Sequence, residues 1–237
     1  MPIHTIKLIK RETVATKTIK LTFSKPEGFH FIAGQYGGFT LIKPQHQDDQ
    51  GINRRFSLLN APDDEHISIV TRIQNSAYKH NLETMPIGSE IKFVGPSGNF
   101  VMHDDQGKTA ALIAGGIGIA PFYSMITHAL KHTPEQKIIL FYGNNSINNC
   151  AFLDELETLA AQYEQFRMIV TLTEPHTDWA GEKGYITDEM IIKNVPDVDN
   201  TIFYVCGSLG MVTALQQTLM ELDIGDDQIK IEDFPGY

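Results

Sequence analysis

Three glycines stand between an apolar run and a predicted helix, in the segment ALIAGGIGIAP at residues 111–121. Gly115, Gly116 and Gly118 let backbone N–H groups approach a ligand closely, and the N-terminus of the following helix favours negative charge. Pro121 suits the first helical turn, where its missing N–H costs nothing. The segment predicts a pyrophosphate-binding turn, although it departs from the GxGxxG fingerprint and also fits a plain tight turn.

A second group of functional side chains occupies consecutive positions in the first half of the chain: Arg54, Arg55, Phe56, Ser57 and Leu58. An arginine pairs bidentately with phosphate, an aromatic ring lies against a flavin, and a hydroxyl hydrogen-bonds a ring nitrogen. The same residues also fit a surface arginine beside a core phenylalanine. With the glycine-rich turn, they support a site for a flavin and a dinucleotide.

Two different patterns of elements would position these residues. The first hundred residues contain six short β-rich runs separated by turns, which are typical of a sandwich or barrel: IHTIKLI, KTIKLTF, YGGFTLI, RRFSLL, HISIVTRI and EIKFV. Residues 43–53 are polar and predict a loop. After Phe100, strands and helices alternate and end in the short strand IKIEDF, which predicts a parallel, doubly wound sheet.

Composition excludes several classes of protein. The chain has 237 residues, a net charge of −10 and two cysteines, Cys150 and Cys206. Two thiols cannot hold a four-cysteine iron–sulfur cluster or a cysteine-rich zinc site, so any such cluster would belong to a partner protein. The lack of a basic excess argues against general nucleic-acid binding. We find no apolar run of about 18 residues and no signal-peptide core, and therefore expect a cytoplasmic protein.

Charge is distributed unevenly along the chain. Residues 1–100 carry 12 Lys and Arg against 9 Asp and Glu, whereas residues 101–237 carry 7 against 20. This asymmetry suits the first half to anionic ligands or acidic partners, although ordinary surface variation explains it equally well. Together with the change of strand pattern near residue 100, it predicts two domains, 1–102 and 103–237.

Five segments in order, RRFS, GPSGNF, AGGIGIAP, YVCGSLGM and the terminal EDF, resemble the ferredoxin–NADP reductase superfamily and span nearly the whole chain. The resemblance implies an antiparallel β-barrel that binds FAD, followed by a doubly wound, five-stranded parallel sheet that binds NAD(P)H. It also implies a flavoprotein reductase in which hydride passes from the nicotinamide to bound FAD. Electrons would then leave to a separate carrier such as a ferredoxin, a flavodoxin or a cytochrome.

The resemblance in the flavin-binding segment implies that Arg55 binds the FAD pyrophosphate, that Phe56 lies along the flavin or ribityl chain and that Ser57 lies near flavin N5. Phe56 lacks the usual tyrosine hydroxyl, which removes a hydrogen bond worth about 1 kcal/mol. Ser76 is implied to bind FAD but also fits a simple turn. It belongs to a second, looser match with the family, which includes Ile69, Val70, Thr71 and Arg72.

In the second half, the resemblance implies dinucleotide binding by the glycine-rich turn: Gly115, Gly116, Gly118, Ile119 and Pro121. Cys206, Gly207 and Met211 resemble a Cys-Gly-x-x-x-Met motif at the end of the fourth strand, where the thiol lies beside the nicotinamide. A buried, inert cysteine is the alternative.

The C-terminal EDFPGY resembles the family's acid-x-aromatic ending. The resemblance implies that Glu232 lies near the nicotinamide or the Ser57–Cys206 pair, and that Phe234 or Tyr237 covers the flavin. A terminal strand with an ordered tail is the alternative. Ser57, Cys206 and Glu232 are therefore the predicted catalytic residues.

The nucleotide and the electron acceptor are less closely specified. Residues 142–146 and 172–174, after the second and third parallel strands, hold no cation for a 2′-phosphate, which favours NADH over NADPH. Basic residues of the first strands either steer an acidic carrier or form a solvated strand face: Lys7, Lys10, Arg11, Lys17 and Lys20. Two other functions stay open: a reductase of free flavin, and an electron-transfer subunit that needs a catalytic partner.

Overall fold

The structure is a computed structural model that describes residues 2–74 and 76–233. Its first half is a six-stranded antiparallel sheet with the strand order β4-β3-β6-β1-β2-β5. The outer strands β4 and β5 approach each other, so the sheet curls toward a barrel, as predicted. The strands are β1 (Ile3–Ala15), β2 (Thr18–Ser24), β3 (Tyr36–Leu41), β4 (Asn53–Ser57), β5 (His66–Arg72) and β6 (Glu90–Ser97).

Alternation along the strands builds the core of this sheet. In β6, Ile91 and Phe93 are buried whereas Lys92, between them, faces solvent. The Phe93 ring packs 5.0 Å from the ring of Phe39, which lies 5.8 Å from that of Phe23. The aromatic interior therefore fixes the register of the strands and the position of the end of β4.

A short helix, α1 (Ala77–Thr84), follows β5 and was not part of the sequence prediction. Tyr78 and Leu82, four residues apart, are both buried on its inner face. The Tyr78 hydroxyl donates a 2.9 Å hydrogen bond to the Phe39 carbonyl oxygen. These contacts hold the N-terminus of α1 beside the first sheet.

The second half is a six-stranded parallel sheet with the order β10-β9-β8-β7-β11-β12. Its strands are β7 (Thr109–Gly115), β8 (Ile138–Asn144), β9 (Phe166–Leu172), β10 (Glu182–Lys183), β11 (Thr201–Gly207) and β12 (Ile229–Asp233). Five of these were predicted. The two-residue strand β10 adds a sixth, which was missed because two residues carry no readable pattern and are defined by pairing with Thr171 and Leu172.

Four helices connect the parallel strands: α2 (Ile119–His132), α3 (Leu153–Gln162), α4 (Asp188–Asn194) and α5 (Leu209–Glu221). The chain proceeds from β7 outward to β10 and then returns to place β11 on the other side of β7. Crossover helices therefore leave in opposite directions at β7 and β11, which opens a crevice at their carboxyl ends. No helix among the described residues is both long and apolar enough to cross a bilayer.

Buried residues of both halves share one core cluster. Leu59 and Phe100, from the first half, belong to the same cluster as Phe122 and Tyr204 of the second. The Phe100 ring lies 5.7 Å from the ring of Phe122 and 5.8 Å from that of Tyr204. The two sheets therefore pack directly against each other. The exact boundary at residues 102 and 103 stays a prediction.

Candidate active site

The glycine-rich turn after β7 packs against the end of β11. A methyl group at Gly118 would lie within 3.0 Å of the Cys206 carbonyl and 2.9 Å from Gly207 Cα. A methyl group at Gly115 would lie 2.9 Å from the Met211 Cε atom. Gly118 is therefore required by close packing against backbone at the crevice, whereas at Gly115 the Met211 side chain would have to move.

Helix α2 begins immediately after this turn. A 3₁₀ turn covers Gly116–Gly118, α2 starts at Ile119, and Pro121 lies within its first turn, as predicted. The first N–H groups of a helix have no intrahelical partner and favour an anion. Gly115, Gly116 and Ile117 of the turn line the crevice, and the Ile119 N–H is bonded within the 3₁₀ turn.

The crevice is a cleft of about 590 Å³ at the carboxyl ends of the parallel strands. This volume is in the range of small-molecule and cofactor sites. Its walls come from the glycine-rich turn, the ends of β8 and β9 and the start of α5, and include Gly115, Gly116, Asn144, Thr171, Ser208 and Met211. Arg72, at the end of β5, reaches the same cleft from the first sheet. The cleft therefore joins both halves of the molecule.

The three predicted catalytic residues come together near the carboxyl ends of β7 and β11, where the strand order reverses. Ser57 Oγ, at the end of β4, donates a 3.5 Å hydrogen bond to Glu232 Oε2, although the residues are 175 positions apart. Glu232 of β12 pairs with Cys206 across the parallel β11–β12 ladder. Strand ends from both sheets thus bring a hydroxyl, a carboxyl and a thiol together.

The surroundings of these groups change their protonation. Burial raises the pKa of Glu232 to about 7, with a smaller rise from Asp233 that opposes the lowering effect of the Ser57 hydrogen bond. Burial also raises the pKa of the Cys206 thiol well above its ordinary value, and the nearby Glu232 and Asp233 add to this rise. Cys206 is fully buried and carries its proton at neutral pH, so it is not a thiolate nucleophile.

A cationic group lies around the N-terminus of α1. The Arg54 guanidinium lies 5.2 Å from the ring of Tyr78, the neighbour of Lys79 on α1, and burial together with the positive charges of Arg54 and Arg72 lowers the pKa of Lys79. Arg72 Nε and Ser76 Oγ are buried without a hydrogen-bond partner among the described residues. Buried donors are ordinarily paired, so this arrangement fits an anionic ligand such as the pyrophosphate of FAD. Lys79 was missed because α1 was missed; the Tyr78–Leu82 spacing was the available signal.

The two arginines of the flavin motif lie on opposite faces of β4. Arg54 shares a face with Phe56, and its guanidinium lies 5.2 Å from the centre of the Tyr78 ring on α1. Arg55 is exposed and its guanidinium lies 5.7 Å from the ring of Tyr36, the residue paired with Ser57. Arg54, and not the predicted Arg55, therefore lies on the side of β4 that faces α1, where its Nη1 atom donates to the carbonyl oxygens of Gln50 at 2.8 Å and Asn53 at 2.7 Å.

Other predicted residues have less direct positions. Leu58 and Ile69 are fully buried in the core of the first sheet, and Val70 and Thr71 are also buried, so their side chains serve packing. Phe234 and Tyr237 lie outside the described residues. Among the basic residues of the first strands, three have partners: Lys7 with Glu90, Lys10 with Glu12, and Arg11 with the carbonyl oxygens of Leu82 and Met85.

Comparisons with known proteins agree with this architecture. Residues 5–102 match the family model of an oxidoreductase FAD-binding domain, and residues 112–217 match that of an oxidoreductase NAD-binding domain. A flavohemoprotein of Oceanobacillus iheyensis is 28% identical over 214 residues, which cover 86% of this chain and 51% of the relative. NADH-cytochrome b5 reductase 2 of Aspergillus fumigatus is 28% identical over 220 residues, covering 89% and 67%. The chain therefore spans about half to two thirds of these relatives.

Solved structures share the fold over nearly the whole chain. The flavohem-like FAD/NAD-binding domain of nitric oxide dioxygenase from Vibrio cholerae has a TM-score of 0.85 at 20% identity, covering 97% of this chain and 98% of that one. A ferredoxin NADP+ reductase from Neisseria gonorrhoeae has a TM-score of 0.81 at 22% identity, covering 98% and 97%. With both family models matched in order, the chain belongs to the ferredoxin–NADP reductase superfamily of FAD- and NAD-binding oxidoreductases.

Proposed function

We propose that the chain is an NAD(P)H-dependent flavoprotein reductase that takes electrons from a reduced nicotinamide through bound FAD to a separate acceptor. The observation that carries this proposal is the meeting of Ser57, Cys206 and Glu232 beside the cleft. Because these residues come from both sheets, the site is assembled where a flavin from one half and a nicotinamide from the other would meet. When bound, FAD supplies the ring that accepts hydride and releases electrons singly.

The cationic group at α1 is the proposed site for the FAD pyrophosphate. Arg54, Arg72 and Lys79 supply positive charge, and Ser76 supplies an unpaired hydroxyl at the helix N-terminus. We assign the main phosphate contact to Arg54 in place of Arg55 because Arg54 faces α1. Two guanidinium groups and a helix N-terminus would bind the pyrophosphate of FAD. They therefore favour tightly held FAD over a free flavin without a pyrophosphate.

The proposed roles of the three central residues are positioning of a hydroxyl and storage of a proton beside the cleft. Ser57 Oγ lies 3.5 Å from Glu232 Oε2, a long hydrogen bond that orients the hydroxyl at the end of β4 toward the carboxyl. Glu232, whose pKa burial raises to about 7, is a carboxyl that can exchange a proton close to neutral pH. Cys206 contributes a neutral, buried thiol on the strand that pairs with Glu232.

We propose NADH as the preferred reductant. Among the described residues that line the cleft, Arg72 is the one cation, and it lies near Gly116 at the glycine-rich turn. The walls after β8 and β9 instead carry Asn145 and Thr173, which are neutral. A 2′-phosphate needs a cationic partner, whereas a 2′-hydroxyl does not.

The acceptor is proposed to be a separate one-electron carrier protein, with the whole reaction located in the cytoplasm. Cys150 and Cys206, both within the described residues, are buried and do not form a disulfide bond. Unpaired thiols are typical of a reducing compartment. The same two residues leave no four-cysteine site, so an iron–sulfur carrier would be another protein.

Anaerobic reduction of the purified protein tests the proposal. The protein should stay yellow through gel filtration, and NADH should bleach the flavin absorbance faster than NADPH does. Colourless protein that reduces added FMN would replace the proposal with a free-flavin reductase. Flavin that neither nucleotide bleaches, with no turnover of ferricyanide, would indicate an electron-transfer subunit.

A further inference from the structure

Two histidines and a carboxylate meet outside the proposed flavin and nicotinamide site. His128 and His132 lie one turn apart on α2, and Asp63 lies in the loop between β4 and β5. His128 Nδ1 is 3.9 Å from Asp63 Oδ1, and His132 Nε2 is 3.5 Å from Asp63 Oδ2. The three ligand atoms all lie within 4.8 Å of one another.

We propose that Asp63, His128 and His132 form a binding site for a divalent transition-metal ion, with Zn²⁺ as the preferred ion. Two imidazole nitrogens and one carboxylate oxygen are donors that Zn²⁺ accepts readily. Mg²⁺ and Ca²⁺ prefer sites made of oxygen atoms alone, so the histidine pair selects against them. The donor set thus defines the class of ion.

The observed spacing is close to that of a zinc site. Zinc ligands lie about 2.0–2.1 Å from the ion, so neighbouring donors of a tetrahedral site are separated by roughly 3.3 Å. The 3.5 Å and 3.9 Å separations run to different oxygens of Asp63, and all three ligand atoms lie within 4.8 Å of one another, so rotations of the side chains that move these atoms by roughly 1 Å are needed to reach this geometry. Three protein donors leave the fourth position to water.

Hydrogen bonds hold the two elements that carry the donors. Lys25 Nζ donates to the carbonyl oxygens of Pro62 at 2.7 Å and Asp64 at 3.0 Å, on either side of Asp63. Ser124 Oγ, one turn before His128 on α2, donates a 2.7 Å bond to the Asn60 carbonyl oxygen. The loop and the helix are therefore fixed relative to each other before any ion binds.

The imidazoles are available for an ion. His128 Nδ1 is buried and has no hydrogen-bond partner among the described residues. His132 is the last residue of α2, where the partial negative charge of the helix C-terminus favours a cation. Lys131 Nζ, 4.0 Å from Asp63 Oδ2, competes for the carboxylate, but its side chain is half exposed and can turn into solvent.

Binding would connect the two halves of the molecule. Asp63 belongs to a loop of the first sheet, whereas both histidines belong to a helix of the second sheet. A bound ion would therefore clamp the halves together and stabilise the packed arrangement against unfolding. This inference is independent of the proposed reductase activity.

Zinc titration of the FAD-loaded full chain, prepared without a polyhistidine tag, tests the site. Zinc chloride is titrated in competition with a chromophoric chelator, and cobalt chloride is used to follow ligand-field absorbance. The variants are His132→Ala and Asp63→Asn. His30→Ala is the matched control because His30 is an exposed histidine that is not one of the three clustered donors.

Wild type and the His30→Ala control should each bind one Zn²⁺ per chain. Loss of a ligand in His132→Ala or Asp63→Asn should weaken binding at least about tenfold. Zinc should also raise the thermal midpoint of wild type but not of His132→Ala. The proposal is overturned if wild type binds no zinc, if the ligand variants bind it as tightly as wild type, or if His30→Ala loses as much affinity as they do.

Discussion

Glu232→Gln is the most direct test of the interface between the two sheets. The glutamine keeps the size of the side chain and its ability to accept a hydrogen bond from Ser57, but it cannot ionise. Burial raises the pKa of Glu232 to about 7, so ionisation of this carboxyl opposes folding near and above neutral pH. The substitution removes the free-energy cost of ionising a buried carboxyl.

The sign and size of the effect follow from the two pKa values. An unfolded glutamate titrates near 4.5, whereas the folded one titrates near 7. Between these values the folded state holds more protons, so Glu232 makes the wild type less stable as pH rises from about 4.5 through 7. The difference corresponds to ~3 kcal/mol at 1.36 kcal/mol per pH unit. Because the residue is only partly buried, we expect about 2 kcal/mol.

The assay compares thermal midpoints of wild type and Glu232→Gln at pH 5 and pH 8, both loaded with FAD. For a chain of this size, 2 kcal/mol corresponds to roughly 4–8 °C. The advantage of the variant over wild type should therefore grow by about this amount from pH 5 to pH 8. Glu135→Gln, which changes an exposed glutamate, should show no such growth. Parallel pH profiles for Glu232→Gln and wild type would refute the reasoning.

Three further substitutions test the neighbouring features. Arg54→Met should weaken FAD retention at least about tenfold through loss of charge-assisted hydrogen bonds, whereas the control Arg55→Met should leave FAD retention nearly unchanged. The fluorescence of released flavin measures both losses. Equal losses in the two variants would contradict the assignment of the phosphate contact to Arg54. Gly118→Ala should lower the thermal midpoint because the added methyl group meets the Cys206 carbonyl. The control Gly210→Ala should not lower the midpoint, because no atom lies near the added methyl group. An unchanged midpoint for Gly118→Ala would show that the turn can shift. Ser57→Ala should slow anaerobic flavin bleaching by NADH about tenfold or more, and an unchanged rate in stopped flow would remove Ser57 from the site.

Local patterns predicted the elements of the fold correctly because each has a strong periodic or turn signal. The six strands of the first half and the five main parallel strands are confirmed. The omissions were α1 and β10. Helix α1 has eight residues and lacks an apolar stripe longer than Tyr78 and Leu82, and β10 exists only through its pairing with β9.

Sequence alone could also name chemical groups without their directions. It assigned the phosphate contact to Arg55, but the alternation of a strand and the position of α1 decide that Arg54 is the arginine on the α1 side of β4. It likewise proposed Ser57, Cys206 and Glu232 from family resemblance. Their proximity depends on β12 pairing with β11 and on how the two sheets pack.

The glycine-rich turn shows most clearly which features local sequence determines and which features depend on tertiary structure. Its composition determined that a strand would end, that the backbone would turn tightly and that a helix would begin within a few residues. The tertiary structure decided that Gly118 packs against the Cys206 carbonyl and that Gly115 packs against Met211. Local sequence governs backbone conformation, whereas contacts between residues nearly a hundred positions apart, and the pKa of Glu232 that burial produces, arise only when separate elements pack together.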